Sequence, residues 1–277
     1  MDICFPIGIN ELAFSEGDLE TIINPHFTSS QIQVAENDFY LKVFDVASYR
    51  VKNGNSIQVY VYEKADLASI KLFLNSSVLG AVLHQRGLLP FHGCSFQYEQ
   101  KGILICGASG AGKSSVTTAF CQNGALFIND DITPLEISAS GTTIVPIKTR
   151  IKLWDDSIKQ LGIENNHFER IRPTLEKFYL SDVENLNTKQ ELHHILILCP
   201  HNKKVFESHE LGGIEKYNAL RNQIYRKMYL KGMPERQKDY FKQLLLLAKK
   251  VRVTIINRPQ LADITTTMEY IKQELVK

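Results

Sequence analysis

The sequence predicts a mixed α/β protein with a small β-rich N-terminal part, and three observations carry that prediction. Residues 30–62 alternate apolar and polar residues at the two-residue period of strands, in FYLKVFDVASYRV and SIQVYVYE, broken by the Asn-Gly turn signal of KNGN. Residues 65–86 then change to apolar spacings of three and four, the period of a helix. Beyond Leu88, strand-like and helix-like runs alternate to the end of the chain, as they do in α/β architectures.

Taken in order, Leu67, Ile70, Leu72, Leu74, Leu79, Val82 and Leu83 mark the helical spacing, and Gly87 is its expected stop. LLPFHGCSFQYEQKGILICG reads as two strands joined around Glu99–Lys101, the second entering a glycine-rich loop. SSVTTAFCQNG is a helix closed by Gly124, and ALFIN is a strand ending at Asp130 and Asp131. Downstream, TTIVPI is strand-like, LWDDSIKQLG is a short helix ending at Gly162, and HHILILCP is a buried strand. Residues 214–232 and 234–250 read as two helices, VRVTIINRP as a final strand and LADITTTMEYIKQELVK as a terminal helix. The change of period places a domain boundary at 64/65: a β-rich region over 1–64 and one larger domain over 65–277.

Bulk properties exclude several classes. The chain has 277 residues, 44% apolar and 22% charged, the composition of an ordinary globular protein. A net charge of +2, from 32 basic and 30 acidic residues, offers no whole-molecule attraction for nucleic acid or an anionic membrane. The N-terminus lacks a basic stretch followed by an apolar run, and no window reads as long enough to span a bilayer, so a cytoplasmic location is expected. Five dispersed cysteines, with Cys94, Cys106 and Cys199 in strand-like surroundings, predict buried free thiols and a reducing compartment. His193 and His194 are strand neighbours on opposite faces and form no two-histidine metal site.

The chemistry concentrates at residues 92–131. GASGAGKSS, from Gly107 through Ala108, Ser109, Gly110, Ala111, Gly112, Lys113 and Ser114 to Ser115, fits the Walker A pattern of a P-loop. Its glycines let successive N–H groups turn toward phosphates, Lys113 reaches β- and γ-phosphate oxygens, and Ser114 ligates Mg²⁺. These residues predict binding of ATP or another nucleoside triphosphate. Asp130 and Asp131 stand where a metal-directing carboxylate and a general base belong. With Ser114, Asp130 is the metal candidate, although the residues themselves leave open which aspartate does which. Read without the P-loop, such a pair is more often an Asx turn or helix cap following a strand. His92, on the preceding strand, is expected beside the pair to orient an aspartate or tune its acidity. Lys148, Arg150 and Lys152 form an alternating basic stripe facing either a phosphate or acidic peptide, or solvent. Trp154 reads as a packing anchor.

FHGCSF, the hairpin, GILICGASGAGKSS, the short helix with NGA, and INDD together closely resemble the catalytic domain of HPr kinase/phosphorylase, across residues 88–135. The resemblance implies a P-loop core of the HPr kinase and phosphoenolpyruvate carboxykinase type. It implies an ATP- and Mg²⁺-dependent kinase acting on a serine hydroxyl of a peptide or small protein. His92, Lys113, Ser114, Asp130 and Asp131 then match active-site positions, and a homo-oligomer is expected. IKLWDDSIKQLG, RPTLEKF with Lys177, and YRK with Arg226 are similar to HPr-kinase-related proteins beside peptide-modification systems such as lasso peptide clusters. Two departures qualify it. The segment after AspAsp, ITPLEISASGTTIVP, lacks the EIRG-type signature, which points away from HPr as substrate, and residues 1–85 have no counterpart in the larger N-terminal domain of those enzymes. A small-metabolite kinase on the same fold, or a nucleotide-gated peptide-binding module, is compatible with the same motifs.

Overall fold

The structure is a computed structural model describing residues 12–147, 149–164, 168–172, 175–180 and 183–276. Cys4, Lys148 and the Pro173–Thr174 part of the RPTLEKF segment lie outside the described residues. Two compact units emerge, one of residues 1–90 with 224–243 and one of residues 91–223 with 244–277. The boundary expected at 64/65 is thereby displaced. Residues 65–90 pack with the N-terminal strands, and a downstream segment returns to join them, which a change of period along the chain does not register.

In the first unit, β1 (Ala13–Glu16), β2 (Phe27–Thr28), β3 (Ile32–Ala35), β4 (Asp38–Val43), β5 (Ala47–Lys52) and β6 (Ser56–Val61) form a sheet of order β1-β6-β5-β4-β3-β2. All its pairs are antiparallel except β1–β6. Val34, Phe39, Tyr49, Val51, Ile57 and Val59 face Ile70, Leu74 and Val78 in one buried cluster. The helix expected over 65–86 is α1 (Leu67–Phe73), a π-turn (Leu74–Val78) and α2 (Leu79–Arg86), ended by left-handed Gly87. Within the interruption, the Ser76 hydroxyl donates to Leu72 O at 2.6 Å, the back-bond by which serine distorts a helical ladder. This helical run of 20 residues is long and apolar enough to cross a membrane by composition, which corrects the expectation that no window is. Its apolar face is instead spent on the sheet.

The second unit contains β7 (Leu89–Tyr98), β8 (Lys101–Gly107), α3 (Lys113–Gln122), β9 (Leu126–Asn129), β10 (Ile132–Ile137) and β11 (Thr142–Ile144). It continues through β12 (Lys152–Trp154), α4 (Asp155–Gln160), β13 (Lys177–Tyr179), β14 (Gln190–His201), β15 (Glu207–Glu210), α5 (Gly213–Asn222), β16 (Arg252–Pro259) and α7 (Ile264–Val276), while α6 (Pro234–Lys250) belongs to the first unit as far as Gln243 and to this one from Leu244. The main sheet runs β11-β10-β7-β8-β14-β16-β15, with β9 also paired to β7. β7 and β8 are antiparallel, while β8, β14 and β16 run parallel. The β7–β8 hairpin turns through Glu99 and Gln100, both at positive φ (48° and 64°), as a two-residue hairpin turn demands. Phe96, Ile105, Phe120, Leu198, Ile256 and Met268 belong to the core cluster beneath α3.

Two sequence expectations change here. The helix expected over 214–232 breaks, because α5 ends at Asn222, Arg226 turns through φ 50°, and a 3₁₀ segment follows at Lys227–Gly232. ITPLEI, for which the sequence carries no strand expectation, forms β10.

Two buried histidines set a pH dependence. Burial pushes His84 down to about 4, its Nε2 lying 2.8 Å from Tyr225 O, and pushes His194 to about 4 beside Thr254. The unfolded chain binds these protons near pH 6.5 and the folded chain only near 4, so stability rises with pH between those values. Urea unfolding at pH 7 and pH 5 is expected to show a lower midpoint at pH 5, with part of the difference removed in His84→Gln. Equal midpoints would refute the assignment.

Candidate active site

β8 ends at Gly107 and α3 begins at Lys113, so the glycine-rich segment is the turn between a central strand and the N-terminus of a helix. Gly107, Gly110 and Gly112 take φ values of 140°, 80° and 99°, which side chains disfavour. Gly107 has a second constraint, since a Cβ there would stand 2.6 Å from Leu198 O on β14.

Sheet order then brings the acidic residues in. β9 pairs with β7, so the end of β9 delivers Asp130 and Asp131 beside the end of β8. Asp130 is almost wholly buried (2% exposed). Its Oδ1 accepts from Ser114 Oγ (2.7 Å) and from the Cys94 thiol (2.9 Å), its Oδ2 accepts from Lys152 N (3.0 Å), and its own N–H donates to Thr149 Oγ1 (2.8 Å). Burial keeps the Cys94 thiol well above its ordinary acidity range, so it serves as donor to this carboxylate.

Asp131 sits in the left-handed region at φ 70°. Its main-chain oxygen accepts from Gly93 N (3.2 Å) and faces His92 Nδ1 at 3.0 Å. Its carboxylate lies 3.3 Å from Lys152 Nζ and 3.4 Å from His92 Nδ1. Burial alone would raise its pKa, but Lys152 and then His92 outweigh that and hold it at about 2. Lys152, 11% exposed, is desolvated yet held charged above the usual lysine range by Asp131 and Asp130.

Lys113 folds back over its own loop, donating to Gly107 O (2.9 Å) and Ala108 O (3.0 Å), with His92 Nε2 at 3.2 Å. An ammonium on one ring nitrogen and carbonyl oxygen on the other assign His92 as the neutral tautomer protonated on Nδ1. Burial and then Lys113 lower its pKa, in agreement.

His92, Ser109, Gly110, Gly112, Lys113, Ser114, Ser115, Asp130 and Asp131 thus converge on one cleft of about 240 Å³. Gly107, Ala108 and Ala111 contribute backbone carbonyls that hold Lys113 and Arg258. The oxygen-rich pair of Ser114 and Asp130 suits a hard cation such as Mg²⁺, which binds through few protein ligands. Gly93 explains the neighbouring glycine in FHGCSF, because a Cβ would meet Ile105 O at 2.6 Å and Leu104 Cδ1 at 2.8 Å. Gly93→Ala is therefore expected to destabilise the protein by about 1–3 kcal/mol, the usual cost of overpacking, read as a lower urea midpoint at unchanged slope.

Lys152, Trp154, Lys177 and Arg258 also line the cleft. The alternating basic stripe divides: Lys152 turns in to Asp131, whereas Arg150 stays exposed, 3.8 Å from the Tyr179 ring centre and paired with Glu169, and Lys148 is outside the described residues. Trp154, expected to be a packing anchor, is 49% exposed on the cleft wall with Lys177 Nζ 5.5 Å from its ring centre. Arg258 lines the far flank, whereas Arg226 belongs to the first unit. Cys94 and Cys106 are buried as expected, but Cys199 is only partly so.

The fold defines a mixed α/β protein whose phosphate-loop-like turn faces two aspartates. No protein-family model matches the chain, and no curated protein matches it. Among solved structures the chain is similar to the Hpr(Ser) kinase/phosphatase from Coxiella burnetii, with 13% identity and a TM-score of 0.33 over 67% of this chain and 95% of that one. A likeness of that extent identifies neither an activity nor a ligand.

Proposed function

We propose that the protein is an ATP- and Mg²⁺-dependent kinase that transfers the γ-phosphoryl group to a serine hydroxyl of a peptide or small protein. The observation supporting this most directly is the convergence of Lys113, the Ser114–Asp130 pair and Asp131 on one cleft at a helix N-terminus. In this reading the loop N–H groups and the end of α3 hold the phosphates, and Lys113 leaves its carbonyls to neutralise charge on them. Ser114 and Asp130 would hold Mg²⁺, which when bound supplies charge neutralisation across the β- and γ-phosphates. Asp131 orients the serine hydroxyl and receives its proton late, once the O–P bond is forming; a carboxylate this acidic is a weak base for early abstraction.

The decisive experiment supplies γ-labelled ATP, Mg²⁺ and a library of serine-containing peptides, with threonine and alanine counterparts. Labelled phosphoserine that depends on Mg²⁺ is the expected product. Label appearing only on small metabolites would replace the peptide acceptor, and nucleotide binding without transfer or hydrolysis would leave a binding module.

A further inference from the structure

Arg258 closes β16 on the flank of the phosphate loop away from the aspartates, since the sheet places β9 and β7 on one side of β8 and β14 and β16 on the other. Its Nε donates to Ala111 O at 3.0 Å, and its Nη1 donates to Pro259 O at 3.1 Å and to Ala262 O at 3.5 Å. Every one of these acceptors is a neutral carbonyl. Nη2 points along the loop, 3.4 Å from where a Cβ on Gly112 would stand.

The guanidinium is partly buried and lines the same cleft as Lys113. Among the described residues no carboxylate forms an ion pair with it. The nearest acid in sequence, Asp263, is committed to Thr266, accepting from its N–H at 2.7 Å and its hydroxyl at 2.6 Å. The other residues lining this flank, Gln260, Ala262, Ile264 and Thr267, carry no charge. Three positive features therefore line the one cleft: this guanidinium beside Gly112, the Lys113 ammonium and the N-terminal end of α3. Collecting like charges in a partly desolvated place is unfavourable unless an anion joins them. The planar fork of arginine suits phosphate oxygens in particular.

From this geometry we infer that Arg258 is a phosphate-binding residue, gripping the phosphate chain of a nucleoside di- or triphosphate from the β16 flank while Lys113 grips it from α3. Nε anchors the side chain to the loop, and Nη2 is the arm left for the ligand. The inference rests on the nucleotide-site reading and adds a second cation to it from a distant part of the sequence. It assigns Arg258 to phosphate binding and gives it no part in activating the acceptor.

The test measures binding of ATP and of inorganic tripolyphosphate, each with Mg²⁺, to the full chain, using quenching of its one tryptophan and isothermal titration. Arg258→Gln keeps a donor for Ala111 O, and Arg258→Lys keeps the charge without the fork. Both ligands are expected to bind at least tenfold more weakly to Arg258→Gln, with an intermediate loss in Arg258→Lys and an unliganded unfolding midpoint near that of the wild type. Loss on tripolyphosphate, which has no base or ribose, separates phosphate contact from a distorted nucleoside pocket. Affinities within twofold of wild type in Arg258→Gln overturn the assignment. Should that variant not fold, Arg258→Lys decides, a fivefold or greater loss supporting the contact and wild-type affinity overturning it. A wild-type protein that binds neither ligand overturns the nucleotide site itself and this assignment with it.

Discussion

Asp131→Asn is expected to lower the rate of phosphoryl transfer by about 10²- to 10⁴-fold, the range for loss of a general base, while ATP affinity changes by no more than a few fold. The substitution is a clean one for backbone reasons. Residue 131 occupies the left-handed region at φ 70°, which asparagine tolerates at least as well as aspartate. The main-chain oxygen that receives Gly93 N and faces His92 is untouched, so the turn after β9 survives. What disappears is the negative charge between Lys152 and His92. Removing it also strips Lys152 of an ionic partner, so some loss of stability accompanies the kinetic effect. Acid unfolding checks that part independently. The aspartate's folded-state pKa of about 2 lies below its ordinary 3.8, so its contribution is complete above pH 4 and vanishes as the pH falls through about 2. The variant has no such contribution to lose in that window. Steady-state transfer assays with parallel nucleotide titrations separate the outcomes: a kcat within tenfold of wild type, or an equal collapse of ATP binding, would remove Asp131 from the role of base.

What the sequence made legible was whatever depends on neighbours along the chain. The run GILIC, the glycines of 107–112 and the helical VTTAF specify a strand, a turn and a helix by local conformational preference, and they appear as β8, the loop and α3. Asp130 and Asp131 were visible because they end a strand, and His92 because it stands one strand earlier. The parts left out depend on long-range pairing. Lys152 reaches Asp131 across 21 positions, and Arg258 reaches Ala111 across 147. Lys152 shows locally only as part of an alternating basic stripe that fits solvent equally well, and the arginine in INRP looks like a solvated strand residue. Partial clues did exist. β12 and β13 are too short to be confident from alternation, but Leu153 and Phe178 are their buried positions, which sends Lys152, Trp154, Lys177 and Tyr179 to the other face. The domain boundary was obscured for the same reason: residues 224–243 rejoin the first unit from far downstream.

Lys113→Met is expected to remove most triphosphate binding and with it the transfer reaction. The methionine fills the same stem volume but supplies no charge, so the comparison isolates the ammonium. That ammonium donates to the buried Gly107 O and to O of the exposed Ala108, with His92 Nε2 alongside, and the loss of one buried neutral acceptor's partner costs only about 1 kcal/mol. The unliganded protein should therefore lose little stability. The liganded one loses a desolvated ionic contact, commonly about 2–5 kcal/mol, or roughly 30- to 4000-fold in affinity. Thermal unfolding with and without ATP–Mg²⁺ reads both quantities at once. At a ligand concentration 100 times the wild-type Kd, wild type gains about 2.7 kcal/mol of stability. A variant binding 100-fold more weakly gains only about 0.4 kcal/mol at the same concentration, from the same relation. An unliganded midpoint close to wild type together with a nearly absent ATP shift is the predicted pair of results. A full ATP shift in Lys113→Met would mean that the phosphates bind elsewhere, and the glycine-rich turn would then be a structural strand-to-helix connection.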